Sequence, residues 1–226
     1  MTNVKCPLCR GSVQSIPLPN DNFRIICSSC GQFRITEQAL EELLAEKKQI
    51  HSKIASCAKE YWIHKHEELH VCSSDPEPQH TSKSAFKIPE LSNILFPQSP
   101  EDLIDRALLN LATLSGNHGI QLPIGNDFPA IVFARDLPQA EYYLNELARR
   151  GLIDKTLGFI TLSVAAWTKV EDLRSKSPDK RWDKPRTATP SNVPCQDEDS
   201  LREWLYSRFI STGMPIKRDD LPASGT

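Results

Sequence analysis

Apolar and polar positions divide the chain into blocks of different period. Between residues 12 and 27, SVQSIPLP and NFRIIC read as two short strands, with the turn-forming cluster NDN between them. The next stretch, RITEQALEELLAEKKQIHSKIASCAKEYW, changes to helical spacing. Leu40, Leu43, Leu44, Ile50 and Ile54 recur along it, and Thr36 stands as an N-cap. The pattern predicts a single helix that packs on the hairpin and leads away from it. HKHEELHVCSSDPEPQHTSKS follows, and its part from Cys72 to Lys87 is polar and carries prolines, as a connection or elaborated loop does.

A second organised block begins near Ile88. In FPQSPEDLIDRALLNLATLSG, Ser99 suits an N-cap, Pro100 the first helical position, and Glu101 and Asp102 the positive helix start. Leu103, Ile104, Ala107, Leu108, Leu111 and Ala112 give that helix a continuous apolar stripe. GIQLPI reads as a short strand, whereas the apolar run in NDFPAIVFARD is too brief to separate helix from strand. LPQAEYYLNELARRG is a further helix, turning Ala140, Tyr143, Leu144 and Leu147 inward and stopping at Gly151. LID, KTLG and FITLS then read as strand, turn, strand, and VAAWTKVEDLRSK closes the block as a helix. Val164, Ala165, Trp167, Val170 and Leu173 are available for burial on it, Trp167 as a core anchor. Helix, strand, helix, helix, hairpin is the order of a winged helix.

Four cysteines sharpen the N-terminal block. CPLC and CSSC place Cys6 and Cys9 17 residues before Cys27 and Cys30, a spacing that fits two knuckles sharing one Zn2+ across a hairpin. Each short turn aims two thiolates at one point, and Pro7 and Gly31 support those turns. A hairpin this small cannot bury enough apolar surface alone, so one structural zinc would supply most of its folding free energy. Four protein ligands leave no open position for substrate. His64, His66, His70, Cys72 and His80 also lie close in sequence, but they lack a paired knuckle or HExxH spacing and read as a solvated face.

The expected fold is therefore α+β. It comprises an N-terminal zinc-ribbon β-hairpin (1–36), a helical linker and loop (37–87), a winged-helix-like α/β unit (88–175) and a flexible C-terminal tail (176–226). In that tail, residues 197–210 are read as a candidate amphipathic helix carrying Leu201, Trp204, Leu205 and Phe209.

Composition adds limits. The 226 residues are 39% apolar, which suits two small units with linkers better than one compact enzyme. Lys plus Arg (27) nearly balances Asp plus Glu (29), so any contact with nucleic acid must be local. No apolar run is long enough to span a bilayer and MTNVKCPLC does not read as a signal peptide, so a cytoplasmic location is expected. In that reducing compartment cysteines favour metal over disulfides. No GxSxG, phosphate-binding glycine loop or HExxH is present, and the chain is not expected to be an enzyme.

Zinc ribbons joined to winged helices often serve nucleic-acid binding. The candidate contacts to DNA or RNA are Arg10, Arg24 and Arg34 on the ribbon, Gln139, Asn145, Arg149 and Arg150 on the reading helix, and Lys155 on the wing. Glu37, Glu41, Glu42, Glu141 and Glu146 stand among them, so a non-catalytic adaptor is the alternative, with a protein partner docking through residues 197–210.

CPLC, CSSCGQFRIT, LPQAEYYLNELARRGLI and FITLSVAAWTKVEDL together resemble a group of uncharacterised bacterial proteins over roughly residues 1 to 174. In that group a zinc ribbon precedes a winged-helix-like domain. Carried over, Cys6, Cys9, Cys27 and Cys30 are the zinc ligands, Gly151, Leu152 and Ile153 the exit into the wing, and Trp167 the family tryptophan. Ser163 to Ala166 depart from the family's threonine-and-glycine version. Longer members continue into an effector resembling nucleoside-deoxyribosyltransferases, with a role in antiphage defence. No such effector is legible after Ser175, so the resemblance implies a regulatory or sensor module.

Overall fold

The computed structural model describes residues 4–20, 22–46, 48–73, 84–176 and Trp182. The readings of the tail, including residues 197–210, and of His80 lie outside the described residues.

Among the described residues two sheets, six α-helices and a π-helical turn (Glu90–Leu95) order the chain. Strands β1 (Val4–Lys5), β2 (Ser12–Leu18), β3 (Asn22–Cys27) and β4 (Gly31–Thr36) run antiparallel, and β5 (Leu69–Cys72) and β6 (Ala85–Lys87) join them in parallel. A parallel return needs a long crossover. Here it is made by α1 (Glu37–Ala45) and α2 (Lys48–Lys65). The segment expected as a linker thus contributes two strands to the ribbon's own sheet.

The single helix expected after Thr36 is two. Thr36 does cap it, its Oγ1 accepting from the Ala39 amide at 3.1 Å. Glu46 then turns extended, and His51 of α2 reaches back to donate its Nε2–H to the Leu43 carbonyl at 2.5 Å. That side chain satisfies one of α1's orphan carbonyls and ends the helix there. Leu43 is fully buried while Leu44 is exposed.

Helix α2 does not lead away from the hairpin. It is the wall shared by two cores, burying Ile54, Ala55, Cys57, Ala58 and Tyr61 against the sheet and Ile63 in the second core. A helix buried on several sides loses the single stripe that marks an amphipathic surface helix. Trp182 returns to the first core, edge-on to Tyr61 (centroids 5.1 Å apart) and Phe86 (5.7 Å).

The second core lies in the block expected to be winged-helix-like. It contains α3 (Pro100–Ser115), β7 (Gln121–Pro123), α4 (Phe128–Ile131), α5 (Leu137–Arg149), β8 (Ile153–Thr156), β9 (Phe159–Leu162) and α6 (Val164–Lys176). Its sheet has the order β7-β9-β8. Ser99 caps α3 as expected, accepting from the Asp102 amide at 3.1 Å, and Gly151 ends α5 with φ 68°. Of the ambiguous run 126–136, Phe128–Ile131 folds as the short helix α4 and the rest is turn and loop. Trp167 is buried, stacked on His118 at 4.6 Å, but α6 buries Ala166, Trp167 and Val170 and leaves Val164 and Ala165 exposed. The stripe is therefore shifted from the expected set.

Polar bonds tie α2 to this unit. Arg106 on α3 donates to both carboxylate oxygens of Glu60 on α2, and to the Leu95 carbonyl at 2.5 Å. Its guanidinium also lies 4.8 Å from the Phe133 ring centroid. Burial is the largest effect and disfavours that cation, but the Glu60 charge, its hydrogen bonds and nearby groups together more than offset it and hold Arg106 above its usual range. Lys59 pairs with Asp127 at 3.1 Å, and His64 hydrogen-bonds Asn110 at 2.8 Å. No helix among the described residues is long and apolar enough to cross a membrane.

Candidate metal centre and recognition surfaces

The two knuckles fall at strand junctions. Cys6 and Cys9 lie in the turn between β1 and β2, closed by the Arg10 amide donating to the Cys6 carbonyl at 3.0 Å. Cys27 and Cys30 lie between β3 and β4, where the Cys30 amide donates to Cys27 Sγ at 3.4 Å. The residue after each knuckle is left-handed: Gly31 at φ 82° and Arg10 at φ 65°. Glycine is required at position 31 for a second reason, since a Cβ there would lie 2.9 Å from Trp62 Cβ.

All four Sγ atoms lie within 4.8 Å of one another. Cys6 and Cys30 are 3.9 Å apart, and Cys9 and Cys27 3.5 Å. A tetrahedron with Zn–S bonds of about 2.3 Å has S···S edges of about 3.8 Å, so these four can hold a metal ion. Cys6, Cys27 and Cys30 are buried and Cys9 is exposed. Crowding sets the thiols against each other. Hydrogen bonding with Cys27 is the largest effect raising Cys6 and Cys30 far above the usual thiol range, while Cys30 pulls Cys27 far below it. Cys9, raised by Cys27 but lowered by Cys30 and Cys6, comes to about 7. A divalent cation at the centre supplies the charge that lets all four act as thiolates.

The histidine-rich stretch forms no such cluster among the described residues. His64 is bonded to Asn110, and His70 is buried with its Nε2 3.0 Å from Asn22 Oδ1.

The basic candidates are brought together with acids. Arg24 and Arg34 stand opposite each other on β3 and β4, a repulsive register that Glu68 offsets by pairing with each at 2.6 Å. Arg149 pairs with Glu146 at 2.8 Å, and Arg150 with Glu146 at 2.7 Å and Glu101 at 3.0 Å. Hydrogen bonds from Arg149 and Arg150 pull Glu146 down to about 2. Lys155 pairs with Glu141 and donates to Asn145 at 3.1 Å. Gln139 donates to Tyr143 Oη at 3.0 Å and accepts from the Arg135 amide at 2.9 Å. Arg10 stays on the first knuckle, exposed and without a carboxylate partner among the described residues. On the same helix and wing, Leu137 (49%), Tyr142 (66%), Leu157 (99%) and Phe159 (41%) are exposed.

No family model, curated protein or solved structure matches this chain.

The site readings therefore rest on geometry. Sequence reasoning found the cysteine cluster because its spacing is local. It missed His51 and Arg135, which share a cleft with the first knuckle, because three distant segments build that cleft.

Proposed function

We propose that the chain is a zinc-stabilised, non-catalytic recognition module whose α5 helix and β8–β9 wing dock a protein partner. The observation that carries this reading is the neutralisation of α5 and the wing. Arg149, Arg150 and Lys155 are held by Glu146, Glu101 and Glu141, so approaching phosphates would meet carboxylates together with the cations. Protein partners tolerate such balanced charge, and the exposed Tyr142 and Leu157 are the kind of anchors they bury. Zinc is the metal that fits four thiolates with no open position, which leaves the centre an organising role. The resemblance to sensor modules of bacterial defence proteins supports a regulatory part for the whole chain.

Nucleic-acid binding is the second reading, favoured by the ribbon. There Arg10 has no carboxylate partner among the described residues, and Glu68 contacts Arg24 and Arg34 through Nε. The test is photo-crosslinking from p-benzoylphenylalanine at position 142 or 157 in source-cell extract, against the exposed α6 position 168. A discrete protein adduct at 142 and 157, absent at 168, is expected. Equal labelling at all three positions, together with a low-salt mobility shift on DNA or RNA, would overturn the reading in favour of nucleic acid.

A further inference from the structure

A cleft of about 340 Å³ opens between the first knuckle, α2 and the α4–α5 turn. That volume lies within the range of small-molecule sites. Its apolar wall includes Leu8, Ala130 and Leu137. Its polar lining includes Ser29, Ser52, Asn126 and Asp136, and the groups that could hold a charged ligand are Arg10, Arg135 and the buried His51.

Arg10 has no carboxylate partner among the described residues. It also holds a left-handed backbone that its counterpart after the second knuckle meets with glycine, so this position places a cation where folding alone favours Gly. Arg135 spends only Nε, on Asp136 Oδ2 at 3.1 Å, and its terminal amino groups are open. Asp136 is the carboxylate on the wall, and both its oxygens are occupied, Oδ1 by the Gln139 amide at 2.9 Å. His51 is 96% buried, from a relative exposure of 4%. Its Nε2 must donate to the Leu43 carbonyl, which leaves Nδ1 as an acceptor with no protein partner on the cleft wall.

We infer that this cleft binds a small organic anion. Its phosphate or carboxylate lies against Arg10 and Arg135, its apolar body covers Leu8, Ala130 and Leu137, and a donor group meets His51 Nδ1. Such a ligand would touch the metal knuckle, the shared helix α2 and the turn into α5 at once. The cleft shares Leu137 with α5 but includes none of Tyr142, Leu157 or Phe159.

Calorimetric titration of the zinc-loaded full chain with phenyl phosphate, benzoate and neutral benzamide tests it. One of the two anions should bind at least about tenfold more tightly than benzamide, and the tighter one assigns phosphate or carboxylate. Arg10→Gly should weaken that anion about tenfold without lowering the unfolding temperature, because glycine relaxes the backbone there. Ser52→Trp, on the exposed side of the cleft, should block it while the zinc content stays unchanged. Absence of binding by either anion at about 10 mM, or undiminished binding by both variants, would overturn the inference.

Discussion

Replacing Arg106 by Met asks whether the buried ion pair between α2 and α3 holds the two cores together. Glu60 is 1% exposed and Arg106 6%, so neither charge has water to fall back on. The substitution removes both hydrogen bonds to Glu60, the bond to the Leu95 carbonyl and the contact with the Phe133 ring. Asp102 cannot compensate, being 3.9 Å from the guanidinium, half-exposed and of the wrong sign to rescue Glu60. Removing one partner of a buried ion pair costs about 3–5 kcal/mol. Against a total stability of about 5–15 kcal/mol, that is a large share. Urea unfolding of the zinc-loaded protein, followed by tryptophan fluorescence, should show the midpoint falling by the corresponding amount. The double variant Glu60→Leu/Arg106→Met removes both charges and should recover most of the loss, because apolar replacement of a buried pair is often near neutral. A loss below about 1 kcal/mol for Arg106→Met would refute the premise that Glu60 depends on this cation. A double variant no better than the single one would place the cost in the Leu95 and Phe133 contacts instead.

Three further outcomes are expected. Purified protein should carry about one zinc per chain by mass spectrometry, and Cys27→Ser should lose it and expose the first core to protease. Because all four ligands must be thiolates, metal should be released as pH falls and retained as it rises, which a chromogenic chelator reads directly; retention through mild acid would argue against a four-thiolate site. Glu141→Gln/Glu146→Gln removes the carboxylates paired with Lys155 and Arg149 and leaves Arg150 with Glu101 alone. If those acids mask the wing, the variant should gain low-salt binding to duplex DNA that weakens steeply with added salt, whereas the parent should not; equal binding by both would remove the masking argument.

What the sequence disclosed depends on the range of the interaction. Ser99, Thr36 and Gly151 act within four residues, and each caps or ends its helix as their residue types imply. The cysteine pairs are equally local, so only their meeting across the hairpin had to be inferred. The break between α1 and α2 was hidden because its cause is a His51 ring eight residues from the carbonyl it caps. Strands β5 and β6 were hidden for a similar reason. LHVC and AFK are too short for alternation to register, and they become strands only beside the edge that β4 offers. Charge on α5 was readable residue by residue, yet Glu101 lies 49 positions from the Arg150 that it neutralises.

Helix α2 explains why ribbon and wing need not be separable. Its one surface buries Ala58 and Tyr61 beside the cysteines' core, while Lys59 donates both to the Ser28 carbonyl inside the second knuckle (3.2 Å) and to Asp127 before α4 (3.1 Å). A single buried ammonium therefore spans the metal turn and the helix that leads into α5. Moving the knuckle without moving α4 would cost that ammonium one of its two acceptors, and a buried polar group that loses a partner destabilises a fold. A metal held by the four cysteines would therefore do more than close a hairpin. It would fix one end of a bonded path through Lys59, Asp127 and α4 to the start of α5.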